Sequence, residues 1–266
     1  MATARRDSWA LVTGGSSGIG RCYAEQLADR GYNILCVSNR EDENDAVAKL
    51  IRLRYGVRTV ALCKDLSDPQ SAYELHDYCL HEGLEIEILV NNAGILLFDT
   101  LEHTSDRAID TAIGLHVHTP TLLCKLFGGD MCRRGHGYIL IMSSATVRLA
   151  YPTIAVYNAT KSYLRNFAAS LWFEMRHYGV SVTTIYPGAI DTPLYSLEER
   201  YRRPLRALGV MMSPEKLARK ALRRMFRCRK NYTPGMFTKF VLCVAPLIPD
   251  RVILWVMRHP KLRHLF

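Results

Sequence analysis

The chain of 266 residues lacks any C-x-x-C pair, and its eight cysteines (22, 36, 63, 79, 124, 132, 228 and 243) are scattered, several inside apolar runs. That argues against a disulfide framework and for buried free thiols in a reducing compartment. The opening Met1-Ala2-Thr3-Ala4-Arg5-Arg6-Asp7-Ser8 has no apolar core, so it does not read as a secretory signal, and a cytoplasmic address is expected. Internal repeats and low-complexity segments are also missing, which excludes a repeat array. Acid is scarce toward the C-terminus. From Arg200 to Phe266 there are 17 Lys/Arg against only Glu215 and Asp250, a charge of +15, which leaves −5 for residues 1–199 out of a total of +10. Such asymmetry reads as a solvated face or as a surface for an anionic partner. No nucleic-acid motif accompanies the charge, so no nucleic-acid partner is expected.

What is present is an alternation of short apolar runs with helical stretches. Trp9–Thr13, Asn33–Ser38, Arg58–Leu62, Ile86–Asn91, Gly137–Ser143 and Val180–Tyr186 read as strands. Near-continuous apolarity, as in Ile86–Val90, suits a parallel sheet covered on both faces, so the expected fold is α/β, one doubly wound Rossmann-like sheet flanked by helices. About 250 residues is an ordinary size for one such domain, and a single domain over 1–266 is expected, with 193–266 as substrate loop and basic C-terminal extension. Ser67-Asp68-Pro69 and Ser213-Pro214-Glu215 read as helix starts.

After the first strand comes Gly14-Gly15-Ser16-Ser17-Gly18-Ile19-Gly20, then a helical stretch. Glycines let the backbone turn tightly and approach a pyrophosphate, and free N–H groups at a helix start favour its charge. The spacing Gly14, Gly18, Gly20 departs from G-x-G-x-x-G. Further along, Tyr157 and Lys161 are one helical turn apart, which lets an ammonium share a helix face with a phenol and stabilise its phenolate.

Thr13-Gly14-x-x-x-Gly18-x-Gly20, Asn91-Asn92-Ala93-Gly94, Ser144, Tyr157-x-x-x-Lys161 and Pro187-Gly188-x-x-x-Thr192 stand in one order and register that resembles the short-chain dehydrogenase/reductase family over roughly residues 8–195. The resemblance implies hydride transfer between a nicotinamide cofactor and a carbonyl or alcohol. It casts Tyr157 as proton donor, Ser144 as hydrogen-bond partner of the substrate oxygen, and Lys161 as the group that lowers the tyrosine pKa and holds the nicotinamide ribose. Ser143, pointing to the other strand face, is set aside. Ser16, Ser17 and Ile19 join the glycine turn in cofactor binding; Asp65 and Leu66 lie at the adenine position, and Asp68 is read as a helix-start residue. Asn92, with Ala93 and Gly94, is similar to the turn that holds the adenosine ribose. Pro187, Gly188, Ile190 and Thr192 resemble the contacts to the carboxamide.

The second strand ends without the acid that would accept from the ribose hydroxyls of NAD; Asn39 and Arg40 stand there, a pattern similar to NADP(H) binders, with Arg40 pairing a 2′-phosphate. NADP(H) is therefore expected over NAD(H). The family's mid-helix Asn is also missing. His116 stands in its place in Leu115-His116-Val117-His118, where it keeps a main-chain carbonyl for the proton path and offers an imidazole as a further member. The His116/His118 pair has no supporting Cys or carboxylate, and no metal is expected.

Apolar residues of 193–212 (Leu194, Leu197, Leu205, Leu208, Val210, Met211, Met212) read equally as the lining of an apolar substrate cavity and as core packing. Glu215–Lys230 has a helical apolar stripe under a cationic face. Beyond it, the apolar run from Phe240 to Met257 is broken by Pro246, Pro249, Asp250 and Arg251, which excludes a straight spanning helix of ~20 residues. That segment is read three ways: contact with an anionic membrane surface, a substrate lid, or a subunit interface. The resemblance implies a homodimer or homotetramer and a small apolar carbonyl or alcohol as substrate: a 3-oxoacyl or 3-oxosphingoid chain, or a steroid. Two alternatives stay open: an alcohol or hydroxysteroid dehydrogenase running oxidatively, and a low-turnover NADP(H)-binding sensor or scaffold.

Overall fold

The computed structural model describes residues 7–148, 151–192, 203–206, 209–244 and 247–258. Strands β1 (Trp9–Thr13), β2 (Asn33–Ser38), β3 (Thr59–Cys63), β4 (Ile86–Asn91), β5 (Gly137–Met142), β6 (Val180–Ile185) and the two-residue β7 (Asn231–Tyr232) form one parallel sheet. Their order is β3-β2-β1-β4-β5-β6-β7. Helices of eight or more residues among the described ones are α1 (Gly18–Ala28), α2 (Glu41–Tyr55), α3 (Gln70–His81), α4 (Asp106–Ile113), α5 (Thr119–Arg134), α6 (Ala155–Arg176), α7 (Pro214–Met225), α8 (Met236–Val244) and α9 (Asp250–Arg258).

Alternation along the strands builds two cores. Leu11, Leu35 and Leu89 pack with α3, α5 and α6 on one face, whereas Ala10, Val12, Ile34 and Ile88 pack with α1, α2 and α7 on the other. Every residue of β1, β2, β4 and β6 is buried; β1, β2 and β4 are largely apolar runs, whereas β6 buries Ser181, Thr183 and Thr184 among its valines and isoleucine.

Local signals set the helix ends. Acidic Glu41, Asp42 and Glu43 open α2, and Arg52 and Arg54 close it against Gly56 in the left-handed region (φ 69°), both arrangements favoured by the helix dipole and C-cap geometry. Ser213 caps α7 by accepting from Lys216 N, with Pro214 in the first turn, as its sequence predicts. The amphipathic stretch stops sooner than its stripe suggests, however. The helix ends at Met225 rather than Lys230, and Cys228 takes φ 52°. The reason is topological: the chain must return to the sheet as β7, and Thr184 N already donates to Lys230 O while Thr183 Oγ1 donates to Arg229 O. Lys230 then lies over the Phe173 ring, 4.0 Å from its centroid.

Between α4 and α5 the helix widens into a π turn at Gly114–His118. A Cβ on Gly114 would stand 2.1 Å from Ser67 O, so only glycine lets this turn meet the segment after β3. The chain runs from β1 outward through β2 and β3, then crosses back to β4 on the other side of β1. This reversal opens a crevice beyond the carboxyl ends of the strands.

Candidate active site

Glycines shape one wall of that crevice. Gly14 (φ 65°) and Gly18 (φ 53°) both adopt the left-handed backbone that side chains disfavour. Gly14 N donates to Val37 O at 2.8 Å, and the Ser16 and Ser38 hydroxyls pair at 2.9 Å, which ties the turn to the end of β2. Ser17 is the extended N-cap residue of α1, and its side chain does not cap the helix. The first N–H groups of α1 are therefore left for an anion. A cleft of about 720 Å³ begins here, with Ser16, Ser17, Gly18 and Ile19 on one side and Asn92, Ala93 and Gly94 on the other. Asn39 and Arg40 close the β2 end, Asp65 and Leu66 the β3 end, and Thr192 faces Gly18.

The structure thus brings most predicted nucleotide contacts into one cleft, and sets a few behind it. Gly20 serves the turn from behind: a Cβ there would lie 1.9 Å from Gly14 O and 2.6 Å from Asn92 Nδ2. Asn92 N and Ala93 N both donate to Thr13 Oγ1, and Asn92 Nδ2 donates to Thr13 O at 3.0 Å, so this turn is stitched to β1. Asp65 Oδ1 accepts from Ser67 N and Oγ; Asp68 Oδ1 accepts from Gln70 N, at a helix start as expected. Ser38, Lys64, Arg107 and Thr111 also line the cleft. Sequence reasoning missed them because α4 reaches the site only through tertiary packing. Lys64, one residue past β3 and beside Asp65, carried the one available signal.

Arg40 is exposed and its guanidinium pairs with Glu43 at 3.1 Å, one helical turn away. An exposed pair of this kind is weak. It leaves the guanidinium exchangeable toward a phosphate.

At the other end of the crevice, β5 delivers Ser143 and Ser144 and α6 delivers Tyr157 and Lys161. Ser143 Oγ donates to Lys161 O at 2.9 Å and so ties the strand to the helix. Ser144 Oγ accepts from Thr146 Oγ1 at 2.9 Å and from Thr146 N, which leaves its own hydrogen to donate. Tyr157 is half-buried; burial pushes its phenol above the ordinary 10, and the hydrogen bond with Ser144 offsets part of that rise. Lys161 is buried and donates to Met142 O at 3.1 Å, and burial pulls its ammonium down to about 8. The ammonium also lies 5.7 Å from the Tyr157 ring centroid, and in this state the hydrogen bond with Ser144 is what lowers the tyrosine pKa. Tyr157 therefore carries its proton at neutral pH, as a donor must.

His116 is 1% exposed. Its Nε2 accepts from Ile95 N at 3.0 Å, and its Nδ1 meets Thr160 Oγ1 at 3.0 Å. Because Thr160 spends its hydroxyl proton on Tyr157 O at 2.8 Å, Nδ1 must be the nitrogen bearing hydrogen. Burial and the neighbouring Lys161 hold the imidazole well below the usual histidine range. The ring is thus a neutral brace between the cofactor turn and the tyrosine helix, packed edge-on against Tyr157 at 5.8 Å. Both nitrogens are thus occupied within the protein, Nε2 by Ile95 N and Nδ1 by Thr160 Oγ1. His116→Asn is expected to keep carbonyl-reducing turnover within a few-fold of the parent, and total loss would contradict this placement. Linkage adds a second readout. An unfolded histidine takes up its proton as pH falls through about 6.5 while the folded one resists, so the parent loses stability on the acid side and the Asn variant loses less. Melting temperatures measured from about pH 7 down to 5 check the sign.

Pro187, Gly188 and Ile190 stand back from the cleft. Pro187 O accepts from Ala145 N at 2.9 Å, and Ile190 is buried and bridges Met212. Of the segment 193–212, residues 193–202 and 207–208, with Leu194, Leu197 and Leu208, lie outside the described residues. Met211 is buried, and Arg206 pairs with Asp191 at 2.6 Å.

A family model described as short chain dehydrogenase matches residues 8–201. Hydroxysteroid dehydrogenase-like protein 1 of Gallus gallus is 32% identical over 197 residues, covering 72% of this chain and 58% of that protein. Very-long-chain 3-oxoacyl-CoA reductase of Anas platyrhynchos is 31% identical over 198 residues, covering 72% and 62%. The match thus spans about three-fifths of the length of these curated relatives. A solved short-chain dehydrogenase from Sphingobium yanoikuyae in complex with NADPH superposes with a TM-score of 0.77 at 27% identity, covering 86% of this chain and 88% of that one. A glycine turn at a topological switch, facing a Ser-Tyr-Lys set on β5 and α6, agrees with these likenesses, and the chain belongs to the short-chain dehydrogenase family.

Proposed function

We propose that this chain is an NADP(H)-dependent oxidoreductase that reduces the ketone of an apolar, lipid-like substrate (a 3-oxoacyl or 3-oxosphingoid chain, or a steroid), with Tyr157 as proton donor. The observation that carries this reading is the Ser144–Tyr157 hydrogen bond, with Lys161 buried beside it and its ammonium close to Gly94, which lines the glycine-walled cleft. The cradle fits a dinucleotide: the uncapped start of α1 suits the pyrophosphate, and Arg40, with Lys64 nearby, suits a 2′-phosphate. Reduced nicotinamide, when bound, supplies the hydride.

The protein's own residues manage the oxygen. As charge develops there, the Ser144 hydroxyl donates to it and the phenol of Tyr157 gives up its proton; donors fixed in advance lower the barrier because no reorganisation is needed. Lys161 holds positive charge next to the phenolate so formed. Turnover in the reducing direction should therefore fall as pH rises through about 8, where the lysine loses its proton. Support for the substrate class comes from relatives named for very-long-chain 3-oxoacyl-CoA and hydroxysteroid chemistry.

Running the same groups backwards gives an alcohol or hydroxysteroid dehydrogenase. A second reading, a slow NADP(H)-binding sensor or scaffold, is favoured by His116 at the family's Asn position. NADPH oxidation across long-chain, steroid and small ketones separates them: turnover supports the enzyme, and binding without turnover on any ketone supports the sensor. The reading includes a homodimer or homotetramer, and a cytoplasmic address with the basic C-terminal segment against an anionic membrane.

Arg40→Glu is expected to raise KM for NADPH by about 10- to 100-fold and to change that for NADH little, since a charge-assisted hydrogen bond is worth about 1.5–3 kcal/mol. Equal effects on both cofactors would remove the 2′-phosphate role from Arg40.

A further inference from the structure

Among the described residues, α8 and α9 differ from every other helix pair. α8 is almost wholly apolar yet buries none of its residues. Phe240 is 64% exposed, Leu247 78% and Trp255 58%, with Phe237 and Val252 also open. Large apolar side chains left exposed on two successive helices mark a site of contact.

The inner side of α8 rests on the catalytic end of the molecule. It packs on the turn Ala145–Arg148 that follows Ser144, and Thr238 lies so close to Gly188 that a Cβ there would be 2.4 Å from Thr238 Oγ1. The exposed apolar side of α8 is therefore about one helix diameter, ~10 Å, from the loops that frame the reacting groups.

Charge indicates the occupant. Spacings of four and three residues place Arg251, Trp255 and Arg258 along one stripe of α9, and Lys239 lies on α8, with Asp250 as the sole acid in the pair. A tryptophan between cations beside apolar side chains suits the interface of a bilayer. A second copy of the same face would bring like charges together. An anionic membrane takes up both the apolar side chains and the cations.

We infer that α8 and α9 form a docking surface for an anionic lipid bilayer, which sets the active-site mouth against the membrane so that an apolar carbonyl enters from the lipid; this rests on the reductase reading above.

The test is sedimentation of the full chain with phosphatidylcholine vesicles, with and without phosphatidylserine, alongside NADPH oxidation on a water-soluble ketone. Phosphatidylserine vesicles are expected to bind at least about tenfold tighter than neutral ones at moderate salt. Phe240→Glu/Trp255→Glu and Lys239→Glu/Arg251→Glu/Arg258→Glu should each lose at least about tenfold of that binding. Both should keep turnover on the water-soluble ketone and lose it on a ketone dissolved in vesicles. No binding of the parent to phosphatidylserine vesicles, or equal binding by the variants, would overturn the proposal. So would a lipid-free oligomer of the parent that dissociates in Phe240→Glu/Trp255→Glu, which assigns the face to a second copy. Absence of turnover on every ketone, with vesicle binding intact, would instead defeat the reductase reading and leave the docking surface standing.

Discussion

Replacing Tyr157 by phenylalanine is expected to lower NADPH-dependent ketone reduction by about 10³-fold or more, with the dissociation constant for NADPH changed only a few-fold. The phenol is half-buried, carries its proton at neutral pH and shares a hydrogen bond with Ser144. Removing the hydroxyl deletes the proton that neutralises the developing alkoxide, and no other described acid stands at that hydrogen bond. Lys161 is buried beside it and donates to Met142 O at 3.1 Å, and its ammonium is a cation, not the phenol's replacement in that hydrogen bond. The ring remains to pack edge-on against His116, so fold and cofactor cleft survive. Single-turnover measurement alongside a fluorescence titration of NADPH separates chemistry from binding. Retained turnover in the variant would take Tyr157 out of the proton step.

Gly20→Ala should be a severely damaging one-carbon change. The added carbon would sit 1.9 Å from Gly14 O and 2.6 Å from Asn92 Nδ2, and Gly14 is itself fixed by Val37 O. A flexible side-chain tip can yield; a backbone carbonyl at the turn of β1 into α1 cannot without shifting α1. Overpacking of this kind costs upward of about 1–3 kcal/mol, and about 2–4 °C of melting temperature per kcal/mol applies to a chain of this size. A fall on the order of 10 °C and loss of NADPH binding are expected together. Gly83 provides the contrast. Its φ is 62° but nothing lies within 4 Å, so Gly83→Asn, which tolerates that backbone, should change melting by a few degrees at most. Equal losses at the two sites would show that space at Gly20 is not what matters.

Much of this site was legible in the residues because its parts are local. A strand, a glycine turn and a helix start follow one another within twenty residues, and Tyr157 and Lys161 need only one helical turn to share a face. Ser144 was implied by the family resemblance, and the fold sets it in a hydrogen bond with Tyr157. Harder to read were groups whose roles depend on a third partner. Lys161 shares a face with Tyr157 by spacing alone, but its contact with Met142 O depends on the strand packed beneath it, and the partners of His116, Ile95 N and Thr160 Oγ1, come from segments far from it in the chain. α7 ends at Met225, short of its stripe, since nothing in that stripe announces that Lys230 must accept from a strand edge.

By itself, then, the sequence determined the alternating α/β fold, the glycine turn and the one-turn spacing of Tyr157 and Lys161, since each rests on periodicity or short spacing that backbone geometry enforces, while Ser144 entered through the family resemblance. Only the tertiary structure decided the protonation of that set, the neutral bracing role of His116, the membership of Lys64 and Arg107 in the cleft, and the seating of α8 on Gly188. Burial and hydrogen-bond partners are properties of packing between segments far apart in the chain, and a linear pattern does not carry them.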